Sequence, residues 1–78
     1  MQTVEHAYVG GYKRTPVTPE IQSLFNECLP DINAKLKKNW TFIVILECWS
    51  QVVNGINYKA YVAGDGKDCA HVVICKPL

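Results

Sequence analysis

At 78 residues, with 49% hydrophobic and 19% charged side chains, the chain has the composition of a globular domain and is neither disordered nor fibrous. Its net charge of +1, with lysines scattered among acids, leaves no basic stripe for nucleic acid or an anionic membrane, and the longest wholly apolar run, 42–46, is too short to span a bilayer. A chain this short buries only about 60–65% of its unfolded surface, so a single domain over 1–78 with modest stability is expected.

The N-terminus has no basic start followed by an apolar stretch, hence no secretory signal, which predicts a cytoplasmic protein with reduced thiols. A short strand is expected over 5–9, followed by the turn-prone pair Gly10 and Gly11. Thr18 is a good N-cap, with Pro19 at the first helical position and Glu20 near the positive helix end. From there Ile21, Phe25, Cys28, Ile32 and Leu36 recur at helical spacing, and Leu24 and Leu29 widen the stripe. The spacing predicts a helix over 19–38, with Lys35, Lys37 and Lys38 at its negative end and Asn39 as terminator. Pro30 lies inside it and removes one backbone hydrogen bond. It predicts a kink rather than two helices, since 31–36 is too short to stand without the first part.

Residues 40–53 are rich in aromatic and β-branched side chains and read as a long strand, and 58–63 and 68–76 read as two more. On the last, Ala70, Val72 and Ile74 alternate with Cys69, His71, Val73 and Cys75. The most informative stretch joins the first two strands: Gln51, Val52, Val53, Asn54 and Gly55. Asn-Gly is a strong hairpin signal, because both residues of a tight primed turn need positive φ. Two valines beside a tip, where loops are normally polar, either fold back onto the core or meet an apolar partner. The order β-α-β-β-β predicts an α+β fold, an antiparallel sheet wrapped on one long α-helix.

Four cysteines allow three disulfide pairings, and none forms a Cys-x-x-Cys motif. Cys69, His71 and Cys75 share one face of a strand, but residues two and four apart on a strand are ordinary surface neighbours, so no metal or other cofactor is expected. Neither histidine lies in a context that orients it against a cysteine, and a chain of this length leaves little room for a cleft; an enzyme is not expected. Cys28, on the apolar stripe, reads as a small buried hydrophobe. Trp49 either rims a binding edge or covers the sheet.

Taken in order, Val9-Gly10-Gly11, then Thr18-Pro19-Glu20-Ile21-Gln22, then Gln51-Val52-Val53-Asn54-Gly55-Ile56-Asn57-Tyr58, closely resemble the stefins, the intracellular type 1 branch of the cystatins. Pro30 falls where stefins carry a mid-helix proline, and Ala63-Gly64-Asp65 and His71 continue the match, which covers 8–78. The resemblance implies a cystatin-like fold and tight, reversible inhibition of papain-like cysteine peptidases of the cathepsin type. In that picture a wedge enters the peptidase cleft. Val9 fills an apolar subsite, Gly10 and Gly11 pass the catalytic cysteine without presenting a cleavable bond, and Gln51, Val52, Val53, Asn54 and Gly55 fill the other side. The residue types suit such a wedge, because glycine permits close backbone approach and a preformed apolar tip loses little entropy on docking.

Three departures qualify the resemblance. Asn54 stands where the family has alanine and puts an amide at the wedge tip, so weaker binding is expected, tightened by Asn54→Ala. After Cys75-Lys76-Pro77-Leu78 the family's second hairpin loop and final strand are missing, so the third contact of the wedge is absent and the edge formed by 68–76 is expected to be open. That predicts a homodimer, through this edge or by exchange around the first hairpin. It also supplies the alternative function, a non-inhibitory cystatin-fold module for protein binding or self-association. Stefins, finally, have few cysteines. Here Cys69 and Cys75 face away from the helix, where they are expected to oxidise between molecules.

Overall fold

The computed structural model describes residues 2–4, 11–52 and 54–77, the first three through their backbone alone. Thr18 opens the helical layer, its hydroxyl accepting from the Ile21 N–H at 3.2 Å, and α1 runs over Pro19–Glu27. The helical path breaks at Cys28 and resumes as α2, Leu29–Leu36. The single kinked helix expected over 19–38 is therefore two helical segments. Pro30 has no N–H to return to the carbonyl of Asn26. The Cys28 N–H is instead shared between the carbonyls of Leu24 (3.2 Å) and Phe25 (3.1 Å), which tightens the turn, and the ladder restarts with Ile32 N–H on the Cys28 carbonyl at 2.9 Å. A segment as short as α2 is held by packing rather than propensity; its Ile32 is fully buried. Its terminator is Lys37, at φ +55°, with the Lys38 N–H closing onto the Asn33 carbonyl at 2.9 Å, so Asn39 does not end the helix.

The strands are β1 (Gln2–Val4), β2 (Lys13–Arg14), β3 (Ile43–Val52), β4 (Gly55–Gly64) and β5 (Asp68–Pro77). They form one antiparallel sheet in the order β1-β5-β4-β3-β2. The strand expected over 5–9 lies outside the described residues; β1 and β2 occupy opposite edges of the sheet. One expectation is corrected. The β5 edge is not open throughout, because β1 pairs with it as Gln2↔Cys75, Thr3↔Ile74 and Val4↔Val73. An unpaired row of N–H and C=O groups is satisfied by any extended segment that reaches it, and here that segment comes from the same chain.

One sheet face carries the core. Ile43, Ile45 and Cys48 of β3, Tyr58, Ala60 and Val62 of β4, and Val72 and Ile74 of β5 pack against Ile21, Phe25, Cys28 and Ile32. Strict alternation would turn Cys48 away from Ile43 and Ile45. A bulge at Leu46, between the pairs Ile45↔Val62 and Glu47↔Tyr61, restores it to the helix side. The result is an α+β, cystatin-like arrangement of one sheet wrapped on a helical layer.

Candidate functional site

The β3–β4 hairpin projects from one end of the sheet. The last pair among the described residues is Val52↔Ile56, which leaves three residues between the paired positions rather than the two of a tight primed turn. Asn54 (φ +51°) and Gly55 (φ +128°) both have the positive φ that the Asn-Gly pair foretells. Gly55 also faces Pro77 of β5, which buries it. Val52 is 80% exposed, so of the two open readings for that side chain the outward one holds. Val53 lies outside the described residues, as do Val9 and Gly10.

Gly11 and Gln51 are brought together. A Cβ on Gly11 would stand 3.1 Å from Nε2 of Gln51, and Gly11 has φ +82°, where any side chain adds strain. Gln51 is almost wholly buried, with its Oε1 accepting from Asn57 Nδ2 at 3.2 Å. It is thus a seat for Gly11 rather than a free group at the hairpin tip. The chain leading out of Gly11 and the base of the hairpin share one end of the sheet.

Around Trp49 the neighbouring surface holds residues that the sequence alone does not mark. Trp49 and Lys59 are cross-strand partners on the face away from the helices, and the Lys59 ammonium lies 5.2 Å from the Trp49 ring and 4.8 Å from the ring of Tyr12. The Arg14 guanidinium covers the Trp49 ring from 5.6 Å and meets Glu47 at 3.8 Å in an exposed ion pair. Trp49 is half-buried, so it covers the sheet while bordering the site. The Tyr12 hydroxyl is enclosed with no hydrogen-bond partner among the described residues, and burial, then the nearby Cys75, raises its pKa. Strand alternation alone would have paired Trp49 with Lys59 once the hairpin register was known. Nothing in the sequence signals that Tyr12 folds onto them.

Among the described residues no His, Cys, Asp or Glu cluster could hold a metal. His71 instead lies against Tyr61, ring centroids 4.7 Å apart. The four cysteines form no disulfide, and no described helix is long and apolar enough to cross a membrane.

No protein-family model matches the chain, and no solved structure does. Curated proteins do. Cystatin-A of Felis catus is 36% identical over 63 residues, 81% of this chain and 64% of its own, so the chain spans just under two thirds of that relative. Cystatin-A8 of Sus scrofa is 32% identical over 78 residues, which is all of this chain and 76% of its own length. The chain belongs to the stefin family of cystatins. A further stefin relative, the leukocyte cysteine proteinase inhibitor 1 of Sus scrofa, is 31% identical over the same span and is by name an inhibitor rather than an enzyme.

Proposed function

We propose that this stefin is a reversible, tight-binding inhibitor of papain-like cysteine peptidases of the cathepsin type, acting in the cytoplasm by blocking the active-site cleft. Val9, Gly10 and Gly11 form one limb of the contact. Gln51, Val52, Val53, Asn54 and Gly55 form the other, with Gln51 supporting Gly11 from beneath. The observation that carries the reading is the contact of Gly11 with Gln51 beside a valine that is 80% exposed. An apolar side chain that stands in water gains about 1.5–3 kcal/mol when a partner buries it. Lacking side chains, the glycine limb can run close to a cleft wall.

Titration of an active cathepsin-type peptidase with the purified protein tests this. Stoichiometric inhibition is expected, weakened at least about tenfold by Val52→Asp, which places a charge where an apolar surface must form. Absence of inhibition at high excess would overturn the reading in favour of a non-inhibitory binding module. Asn54 is the second lever. Its φ of +51° makes glycine the clean substitution, because alanine there costs about 1 kcal/mol for the left-handed conformation. An amide left unpaired in the cleft costs about 1–3 kcal/mol, so Asn54→Gly is expected to lower the inhibition constant about tenfold and Asn54→Ala by less. An unchanged constant for the glycine variant would show that the amide is satisfied in the complex.

A further inference from the structure

Strand alternation puts Trp49 and Gln51 of β3 on the sheet face away from the helices, together with their partners on β4, Lys59 and Asn57. β2 keeps to the β3 edge, pairing Lys13 with Ser50 and Arg14 with Trp49. Just before it, the Gly11 backbone stands over Gln51, and the Tyr12 ring meets Lys59 of β4, one strand further in. Tyr12 therefore reaches inward across the outer face of the sheet rather than out from its edge.

The Lys59 ammonium lies 4.8 Å from the centre of the Tyr12 ring and 5.2 Å from that of Trp49. Both distances are inside the range of about 6 Å over which a ring face attracts a cation. Arg14 covers Trp49 from 5.6 Å, so cations and rings alternate as Arg14, Trp49, Lys59 and Tyr12. Among the described residues no carboxylate is within ion-pair distance of Lys59, so the two rings supply its attraction. An ammonium is strongly hydrated and sits on a flexible stem, and it stays between two rings only where their attraction offsets the lost water. Trp49 belongs to the hairpin and Tyr12 follows Gly11 directly. Lys59 thus joins the glycine limb to the hairpin through one cation.

We propose, resting on the inhibitory reading above, that Lys59 is a positioning residue for the wedge: its ammonium, clasped by Tyr12 and Trp49, fixes the chain at Gly11 relative to the β3–β4 hairpin. A wedge of two limbs docks in one step only when both already stand at the spacing of the cleft. A limb that wanders weakens binding by the fraction of time it spends out of place. Gln51 seats Gly11 from beneath, and Lys59 holds the next residue. Fasteners on two consecutive residues set the direction of the limb as well as its position. Lys59 acts through Tyr12 and Gly11, not by contact with the peptidase.

Two substitutions separate charge from bulk. Lys59→Gln removes the cation, and Lys59→Arg keeps one that stacks on the same rings. Against a cathepsin-type peptidase, Lys59→Gln is expected to raise the inhibition constant about tenfold, and Lys59→Arg to hold it within about threefold of the wild type. Tyr12→Leu, apolar but without a ring face, is expected to match Lys59→Gln. The double variant is expected to be no worse than either single one, because both break the same clasp. With no peptidase present, backbone order parameters from NMR relaxation are expected to fall at Gly11 and Tyr12 in Lys59→Gln and to hold along β3 and β4. A Lys59→Gln variant that inhibits as tightly as the wild type overturns the clasp. Losses that add in the double variant, a loss that arginine does not restore, or unchanged order parameters at Gly11 and Tyr12 do the same. A Lys59→Gln variant that fails to fold makes Lys59 a folding residue and equally refutes the role. Wild-type protein that does not inhibit sinks the inhibitory reading itself, and the positioning role with it, whatever the order parameters show.

Discussion

Gly64 is glycine for a steric reason. A Cβ there would fall 2.0 Å from Cδ2 and 2.1 Å from Cε2 of Trp40. The ring has nowhere to retreat: Trp40 is buried, its indole N–H reaches Asp68 Oδ2 at 3.4 Å, and the Asn33 amide clamps its backbone by accepting from its N–H at 3.0 Å and donating to its carbonyl at 2.9 Å. Gly64→Ala is expected to lower stability by about 2–3 kcal/mol through overpacking, read as a drop in the urea midpoint at unchanged m-value. A loss below about 0.5 kcal/mol would mean that the indole moves freely after all. The sequence marks Gly64 only as the start of a turn. That it is also the slot for a tryptophan at the far end of β3 depends on the register of the hairpin, which no local pattern encodes.

At the scale of elements, the apolar stripe of the helical layer and the alternation along the three long strands were legible, because both periods are written directly in side-chain polarity. Pro30 marked an irregularity in the helical path, but the full break at Cys28, the Lys37 terminator and the Leu46 bulge were not legible. Each is a competition between backbone hydrogen bonds that tertiary packing decides. The β4–β5 turn shows the same kind of tie. Asp65, at φ +52°, accepts from the Thr41 N–H at 2.8 Å, the Thr41 hydroxyl at 2.9 Å and the Phe42 N–H at 3.2 Å, binding the turn to the approach of β3. These bonds, those from Thr41 foremost, favour the carboxylate and hold its pKa below the ordinary aspartate value. Because the folded value is depressed, the stabilisation is complete above the unfolded pKa and is lost as pH falls through the folded one. Asp65→Asn tolerates the same backbone but cannot ionise. The melting-temperature gap between wild type and this variant is therefore expected to be constant near neutral pH and to close on acidification through the carboxylate range. A gap that ignores pH would show that the charge contributes nothing to the tie.

For the molecule as a whole, the layers were legible in the sequence, but not how the residues expected to form the site are supported. Gln51 was legible as part of a hairpin motif, yet its burial beneath Gly11 requires knowing that an N-terminal segment lies against the sheet. The same blindness produced the expectation of a wholly open β5 edge, which β1 covers over Val73 to Cys75. Cys48 likewise had no assignable face until the bulge was known. It now stands with Cys28 inside the single helix–sheet core, and burial raises the pKa of both thiols. Cys69 is exposed and Cys75 half-buried on the other face. Two buried thiols on opposite layers make a probe of whether those layers separate as one unit. In timed alkylation of the native protein, followed by peptide mass spectrometry, Cys69 is expected to react first. Cys28 and Cys48 are expected to react at least about a thousandfold more slowly, and at equal rates, since either is reached only when the core opens globally. Reaction of Cys28 well ahead of Cys48 would mean that the helical layer lifts while the sheet stays intact, and the two segments meeting at Cys28 would then form a separate, weaker cooperative unit.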